Sequence, residues 1–328
     1  MKKIFTILFI SIISINLYAE DRYNRSTKNG VVVSTSFYAS EVGAKILRDG
    51  GNATDATVAT AFALAVTWPA AGNIGGGGFL IYHGINGENT SFDFREKAPL
   101  AAHKTMYLDK NGELIKNSNH LGLRSVGVPG SVAGLWDFHQ KYGNLSWEKC
   151  LKPAIELAEN GFPLTAALHR HIHKGKVSRL IKEYPSTRNI FLNESGKIIS
   201  EGEIWIQKDL AQTLKRIQSK GKSGFYKGET AKILSKLMAK NGGIITKKDL
   251  NKYRAVERPV LTGNYKNYQI LGMPAPSSGG TAIIEMLNML ETFELDEEKA
   301  SARNTHIYTE VMRRAFADRA KYLGDPDF

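Results

Sequence analysis

The stretch ASEVGAKILRDGGNATDATVATAFALAVTWPAAGNIGGGGFLIYH, residues 39–83, decides how this chain folds. The spacing of Val42, Ile46 and Leu47 predicts a helix over about 40–49. Gly50-Gly51 stops it, because glycine readily takes the left-handed conformation that closes a helix. Asn52 is a capping residue for the next helix, which runs from about 53 to 68 and stops at Pro69. Alanines at 53, 56, 59, 61, 63 and 65 make that helix small and apolar nearly all round. Such a helix is expected to lie buried against a close neighbour. After Gly75 to Gly78 come FLIYHG, the turn INGEN and TSFDFRE, which read as a β-hairpin behind a glycine loop.

Outward from this stretch, helix and strand signals keep alternating. Val31 to Ser34 is a short β-branched run. Helical patterns cover 131–142, 147–160, 164–182, 208–219, 229–241, 281–293 and 304–323. Strand signals at 260–261 and 269–273 flank the turn Lys266-Asn267. No repeat or low-complexity linker interrupts them, so the pattern argues for a layered α/β or α+β domain. With 328 residues, 42 % of them hydrophobic and 23 % charged, the chain is neither disordered nor fibrous. Its one cysteine, Cys150, excludes an internal disulfide and a zinc site of several thiolates.

Lysine and arginine total 44 against 32 acidic residues, a net charge of +12. The densest basic spots are only pairs, Lys247-Lys248 and Arg313-Arg314, so the charge is read as spread over solvated faces. No nucleic-acid partner is expected. At the N-terminus, Lys2-Lys3 precede an apolar run from Ile4 to about Leu17, and Ala19 follows as a small residue. The run is short for a membrane-spanning helix, which needs about 20 residues, and suits a signal peptide. Residues 1–19 are therefore expected to be a leader cleaved after Ala19, which leaves a domain over 20–328. The alternative is an uncleaved anchor. Export with a single cysteine points to a bacterial periplasm or the cell exterior, with no stable membrane anchor.

Motifs with chemical meaning are few. The run Gly75 to Gly78 could cradle a phosphate, but that use wants strand, loop and then helix, and here the loop follows a helix and precedes a strand. Close backbone packing, or an approach to a ligand, fits it better. Gly221-Lys222-Ser223 ends like a P-loop, but Arg216 stands where that loop needs glycine. His169, His171 and His173 fall in a helical pattern and spread around it, so they read as a solvated basic face and not as metal ligands. No G-x-S-x-G occurs, and the S-x-x-K matches at Ser146 and Ser219 lack companion motifs.

Arg95 stands out. In SFDFREKAP, Phe92 and Phe94 alternate with Asp93 and Arg95, which puts a planar guanidinium near a strand end, opposite an aromatic face. That group suits a carboxylate ligand held by two hydrogen bonds. A structural ion pair with Asp93 or Glu96 accounts for the pattern equally well.

Read together, residues 39–83, DFREKAP, SVGVPGSVAGL, GFYKGETA, GGIITKKDLNKYRAVERP, PAPSSGGTAIIEMLN and AFADRAKYLGDPDF resemble the large subunit of gamma-glutamyltransferase, also called glutathione hydrolase. The resemblance spans about 30–328. It implies an α+β fold of the N-terminal-nucleophile hydrolase type, a four-layer αββα sandwich. It also implies a precursor that cleaves itself and a small-subunit partner whose new N-terminal threonine is the nucleophile. A gamma-glutamyl donor such as glutathione would be the substrate, and no cofactor is needed. By this resemblance Arg95 matches the arginine that binds the substrate α-carboxylate. No catalytic residue is expected within this chain, since no Thr-Thr pair occurs and the family continues past GDPDF; the nucleophile is expected beyond residue 328. The sandwich is then incomplete and the chain inactive alone. Two other readings are a non-catalytic periplasmic amino-acid-binding protein and a related acylase of the same fold.

Overall fold

The computed structural model describes residue 27 and residues 29–327, so the expected leader lies outside the described residues. Helix α1, Phe37–Arg48, is capped by the Ser36 hydroxyl, which accepts from the Ala39 N–H. Gly50 closes it at a φ of +90°. Helix α2, Ala53–Thr67, opens with a reciprocal cap. The Asp55 N–H donates to the Asn52 side chain at 3.0 Å, and the Asn52 N–H donates to the Asp55 carboxylate at 2.9 Å. Val58, Ala59, Phe62, Ala63 and Val66 on α2 are all fully buried, as its alanine-rich sequence predicts. Gly43 on α1 allows this closeness, because a methyl group there would overlap the Thr60 hydroxyl on α2.

Strands β1, Phe79–His83, and β2, Asn89–Asp93, form the expected antiparallel hairpin, with Phe79 opposite Asp93 and His83 opposite Asn89. Helix α3, Ser131–Tyr142, covers it through edge-on contacts of Phe138 with Phe92 and Tyr82. Helix α4, Trp147–Asn160, packs beside α2, where Trp147 meets Phe62 edge to face. Strand β3, Phe162–Pro163, and a later strand, Ile204–Trp205, form a two-residue ladder. Three short helices fill the loop between them: α5, Ala166–Ile172; α6, Gly175–Glu183; and α7, Pro185–Phe191.

The single helix predicted over 164–182 is thus two, broken at His173-Lys174. Gly175 is a poor helix former, and the turn lets Leu168, Ile172 and Ile181 all reach the core.

Beyond the strand Ile204–Trp205, here β4, come α8, Lys208–Lys220; α9, Ser223–Tyr226; α10, Gly228–Lys240; and α11, Lys247–Lys252. Strand β5, Val256–Arg258, then returns to pair antiparallel with β2, giving a sheet of order β1-β2-β5. A hairpin of β6, Leu261–Tyr265, and β7, Tyr268–Gly272, precedes α12, Gly279–Leu290, and α13, Ala302–Tyr322.

The fold is α+β, and the strands among the described residues form one three-stranded and two two-stranded sheets. Val31 to Ser34 is not a strand: no strand pairs with it among the described residues, and Val33 is 85 % exposed. No helix among the described residues is long and apolar enough to cross a membrane.

Candidate functional site

Arg95 lies where β2 runs out. The strand continues one residue further, because the Phe94 N–H donates to the Gly78 carbonyl at 3.1 Å and the Gly78 N–H donates back at 3.3 Å. Phe94 is buried in the core, and the next residue, Arg95, faces outward and is exposed. Its backbone is held on both sides. The Arg95 N–H donates to Asp93 Oδ1 at 3.1 Å, and the Arg95 carbonyl accepts from the Tyr253 hydroxyl at 2.8 Å.

The guanidinium is almost unspent. Among the described residues its one hydrogen bond goes from Nη1 to the Pro276 carbonyl at 3.5 Å, the long limit for such a bond. Among the described residues no carboxylate pairs with it. The ion pair with Asp93 that the sequence left open is not formed, because Arg258 takes that carboxylate. Arg258 Nε donates to Asp93 Oδ2 at 3.0 Å, and Nη2 lies at 2.9 Å. Arg258 Nη2 also donates to Asp327 at 3.0 Å, and Lys97 stands 3.6 Å from that same carboxylate. Hydrogen bonding from Arg258 holds the Asp327 carboxyl below the usual range. Every acid in this network is therefore satisfied by another base, and Arg95 remains an available cation beside a backbone carbonyl.

The glycine run serves close packing, as its sequence context suggested. A Cβ on Gly77 would lie 2.5 Å from the Phe94 carbonyl oxygen and 2.8 Å from the Glu96 nitrogen. The Gly76 carbonyl accepts from the Gly130 and Ser131 N–H groups at 2.7 and 3.0 Å, which fixes the loop to the start of α3. Above Gly75 the space is open. Replacing Gly77 with alanine should push the Arg95 segment aside and destabilise the fold by about 1–3 kcal/mol, the usual cost of overpacking. A urea unfolding midpoint equal to that of the wild type would contradict this.

Asp55, His139 and Cys150 form a cluster that the sequence reading missed. His139 Nε2 is 3.5 Å from Asp55 Oδ1, and Cys150 Sγ is 3.9 Å from that oxygen and 3.7 Å from Nε2. The residue types are those of a nucleophilic or metal-binding set. Their state argues for a structural role. All three are buried, and burial pushes the Cys150 thiol up to about 12, which keeps it protonated and unreactive. Asp55 already accepts from the N–H groups of Asn52, Asn144 and Leu145, tying the start of α2 to the loop before α4. The capping residue Asn52 was legible in sequence; its reciprocal partner Asp55, and the second duty of that carboxylate across 90 residues, were not.

This cluster predicts a pH dependence. Burial lowers the His139 pKa below 6.5, with Asp55 and Glu148 opposing. The unfolded chain then binds more protons than the folded one below about pH 6.5, so stability falls as pH drops through that region. His139→Leu should flatten this slope. Equal slopes for both proteins between about pH 6.5 and 5 would contradict the assignment.

The rings of His169 and His173 lie 4.1 Å apart, tilted by 40°, while His171 lies against Trp68, so the three do not converge. The PSSGG loop, by contrast, does meet the site, through the Pro276 carbonyl beside Arg95.

The model of the gamma-glutamyltranspeptidase family matches residues 39–328. The glutathione hydrolase proenzyme of Pseudomonas sp. (strain A14) is 44 % identical over 321 residues, covering 95 % of this chain and 54 % of the relative. That of Escherichia coli (strain K12) is 42 % identical, covering 92 % of this chain and 52 % of the relative. The chain thus spans about half the length of the curated relatives it matches. The crystal structure of Helicobacter pylori gamma-glutamyltranspeptidase superposes with a TM-score of 0.90 at 45 % identity, covering 93 % of this chain and 87 % of that one. The N-terminal-nucleophile hydrolase fold expected from the sequence is therefore the fold of this chain. By family model, sequence and structure alike, the chain belongs to the gamma-glutamyltranspeptidase family.

Proposed function

We propose that this chain is the donor-recognising part of an enzyme that cleaves the gamma-glutamyl bond of glutathione-like compounds. The glutamyl group passes to water, an amino acid or a peptide. The observation that carries this reading is the exposed Arg95 guanidinium, braced through its backbone and left without a carboxylate partner among the described residues. A glutamyl α-carboxylate would accept the two parallel N–H groups that no carboxylate among the described residues takes.

In this reading the nucleophile is the N-terminal threonine of a small-subunit partner made by self-cleavage. Its hydroxyl attacks the γ-carbonyl and its own α-amino group takes the proton. Backbone N–H groups would stabilise the oxyanion, the leaving amine would recover the proton, and the acyl-enzyme would pass its acyl group to the acceptor. The chain supplies binding and orientation, over a domain from 20 to 328. Residues 1–19 act as the leader that exports it to the periplasm or beyond the cell.

The chain by itself should not turn over a gamma-glutamyl substrate, because residues 1–328 contain no Thr-Thr pair. Purified residues 20–328 assayed with a chromogenic gamma-glutamyl amide should match a heat-killed sample. Turnover that a glutamate analogue suppresses would sink the assignment of the nucleophile to the partner.

A further inference from the structure

We propose that Tyr253 is a positioning residue for Arg95, acting through the hydrogen bond from its hydroxyl to the Arg95 carbonyl. The proposal rests on the reading of Arg95 as the carboxylate-binding group.

The geometry supports this role from several sides. Tyr253 is buried, and its ring stacks on Tyr226 with centroids 5.7 Å apart and planes 6° from parallel. Tyr226 is fixed in turn: its hydroxyl donates to the Pro129 carbonyl at 2.8 Å and accepts from the Ala133 N–H at 3.3 Å. The stacked pair is therefore anchored to the start of α3. Tyr253 also directly follows α11, whose Thr246 and Asp249 form a reciprocal cap. Asp249 Oδ1 accepts from the Leu100 N–H at 2.6 Å, so α11 grips the chain just beyond Arg95 as well. Gly130 leaves room for the contact, since a methyl group there would overlap both the Tyr253 hydroxyl and the Phe94 carbonyl. Burial raises the pKa of the Tyr253 hydroxyl, which keeps it a donor across the physiological range.

Arg95 needs such a brace because its side chain has almost no other tether. A guanidinium on a flexible stem recognises a carboxylate bidentately only when its Cα is held in place. The Asp93 side chain holds the amide before Arg95 Cα, and Tyr253 holds the carbonyl after it. Losing either bond should loosen the fork without touching the ligand.

Tyr253→Phe removes only the hydroxyl and keeps the stacked ring. In the chain itself, amide hydrogen exchange over residues 94–97 should speed up about five- to tenfold, the value of one hydrogen bond, with α3 and α8 unchanged. In a protein carrying this chain fused to the remaining half of the Pseudomonas sp. relative, the KM for a gamma-glutamyl donor should rise by a similar factor. The kcat and subunit cleavage should stay near normal. Tyr253→Leu, which also loses the stack, should add a drop in thermal stability.

Unchanged exchange over 94–97, or a lowered stability with an unchanged KM, would overturn the proposal. Arg95→Ala separates the two claims. A normal KM in Arg95→Ala sinks the carboxylate reading and this proposal with it. A raised KM there beside a normal KM in Tyr253→Phe overturns the role of the tyrosine alone.

Discussion

Arg95→Ala should lower kcat/KM for a gamma-glutamyl donor by roughly 10²- to 10⁴-fold in a protein carrying this chain with its catalytic partner. The figure follows from the chemistry of the contact. Each charge-assisted hydrogen bond is worth about 1.5–3 kcal/mol net, and two are lost, which gives about 3–6 kcal/mol. At about 1.4 kcal/mol per tenfold, the range follows. Arg95→Lys keeps the charge and loses the planar fork, so it should fall between the two. The fold should barely register either change. The Arg95 side chain is exposed, and its single bond among the described residues is the 3.5 Å contact to Pro276. Changes of that kind cost within about 0.5 kcal/mol. Subunit cleavage on a gel and KM for the donor read the two effects apart. Failed cleavage with a normal KM would make Arg95 a structural residue.

That residue was visible in sequence for a local reason. Alternation along TSFDFRE places Arg95 at a strand end, and strand period is a property of neighbours. The same locality made α2 legible from cap to stop, since Asn52, the alanine series and Pro69 act within a few residues of one another. What surrounds Arg95 was not legible. Tyr253 and Pro276 come from 158 and 181 residues away, and only the folded chain brings them to one place. The sequence could not say whether Arg95 pairs with Asp93 for this reason. That pairing depended on a third residue, Arg258, which reaches Asp93 because β5 returns to pair with β2. The break at His173-Lys174 failed differently. Both halves have helical spacing, and beside the weak local signal of Gly175 it is the shape of the core beneath Leu168, Ile172 and Ile181 that divides them.

The tie between Asp93 and Arg258 carries the second large prediction. Both side chains are nearly buried, 5 % and 13 % exposed, and they meet at 2.9 Å. Arg258→Ala would leave the Asp93 carboxylate in the core with only the Arg95 N–H as an identified donor. Stranding one member of a buried pair costs about 3–5 kcal/mol, far more than the pair itself contributes. A drop of that size in unfolding free energy should appear in urea titration of the chain. Asp93→Asn added to Arg258→Ala removes the stranded charge, so the double variant should regain part of the loss, and the cycle measures the coupling. It should not regain function in the same proportion. Asparagine can still accept from the Arg95 N–H, but without Arg258 nothing holds its side chain in place. Donor KM should therefore stay raised in the double variant while stability recovers. Recovery of both together would mean that Arg258 serves stability alone; a loss below about 1 kcal/mol in Arg258→Ala would mean that water already solvates Asp93.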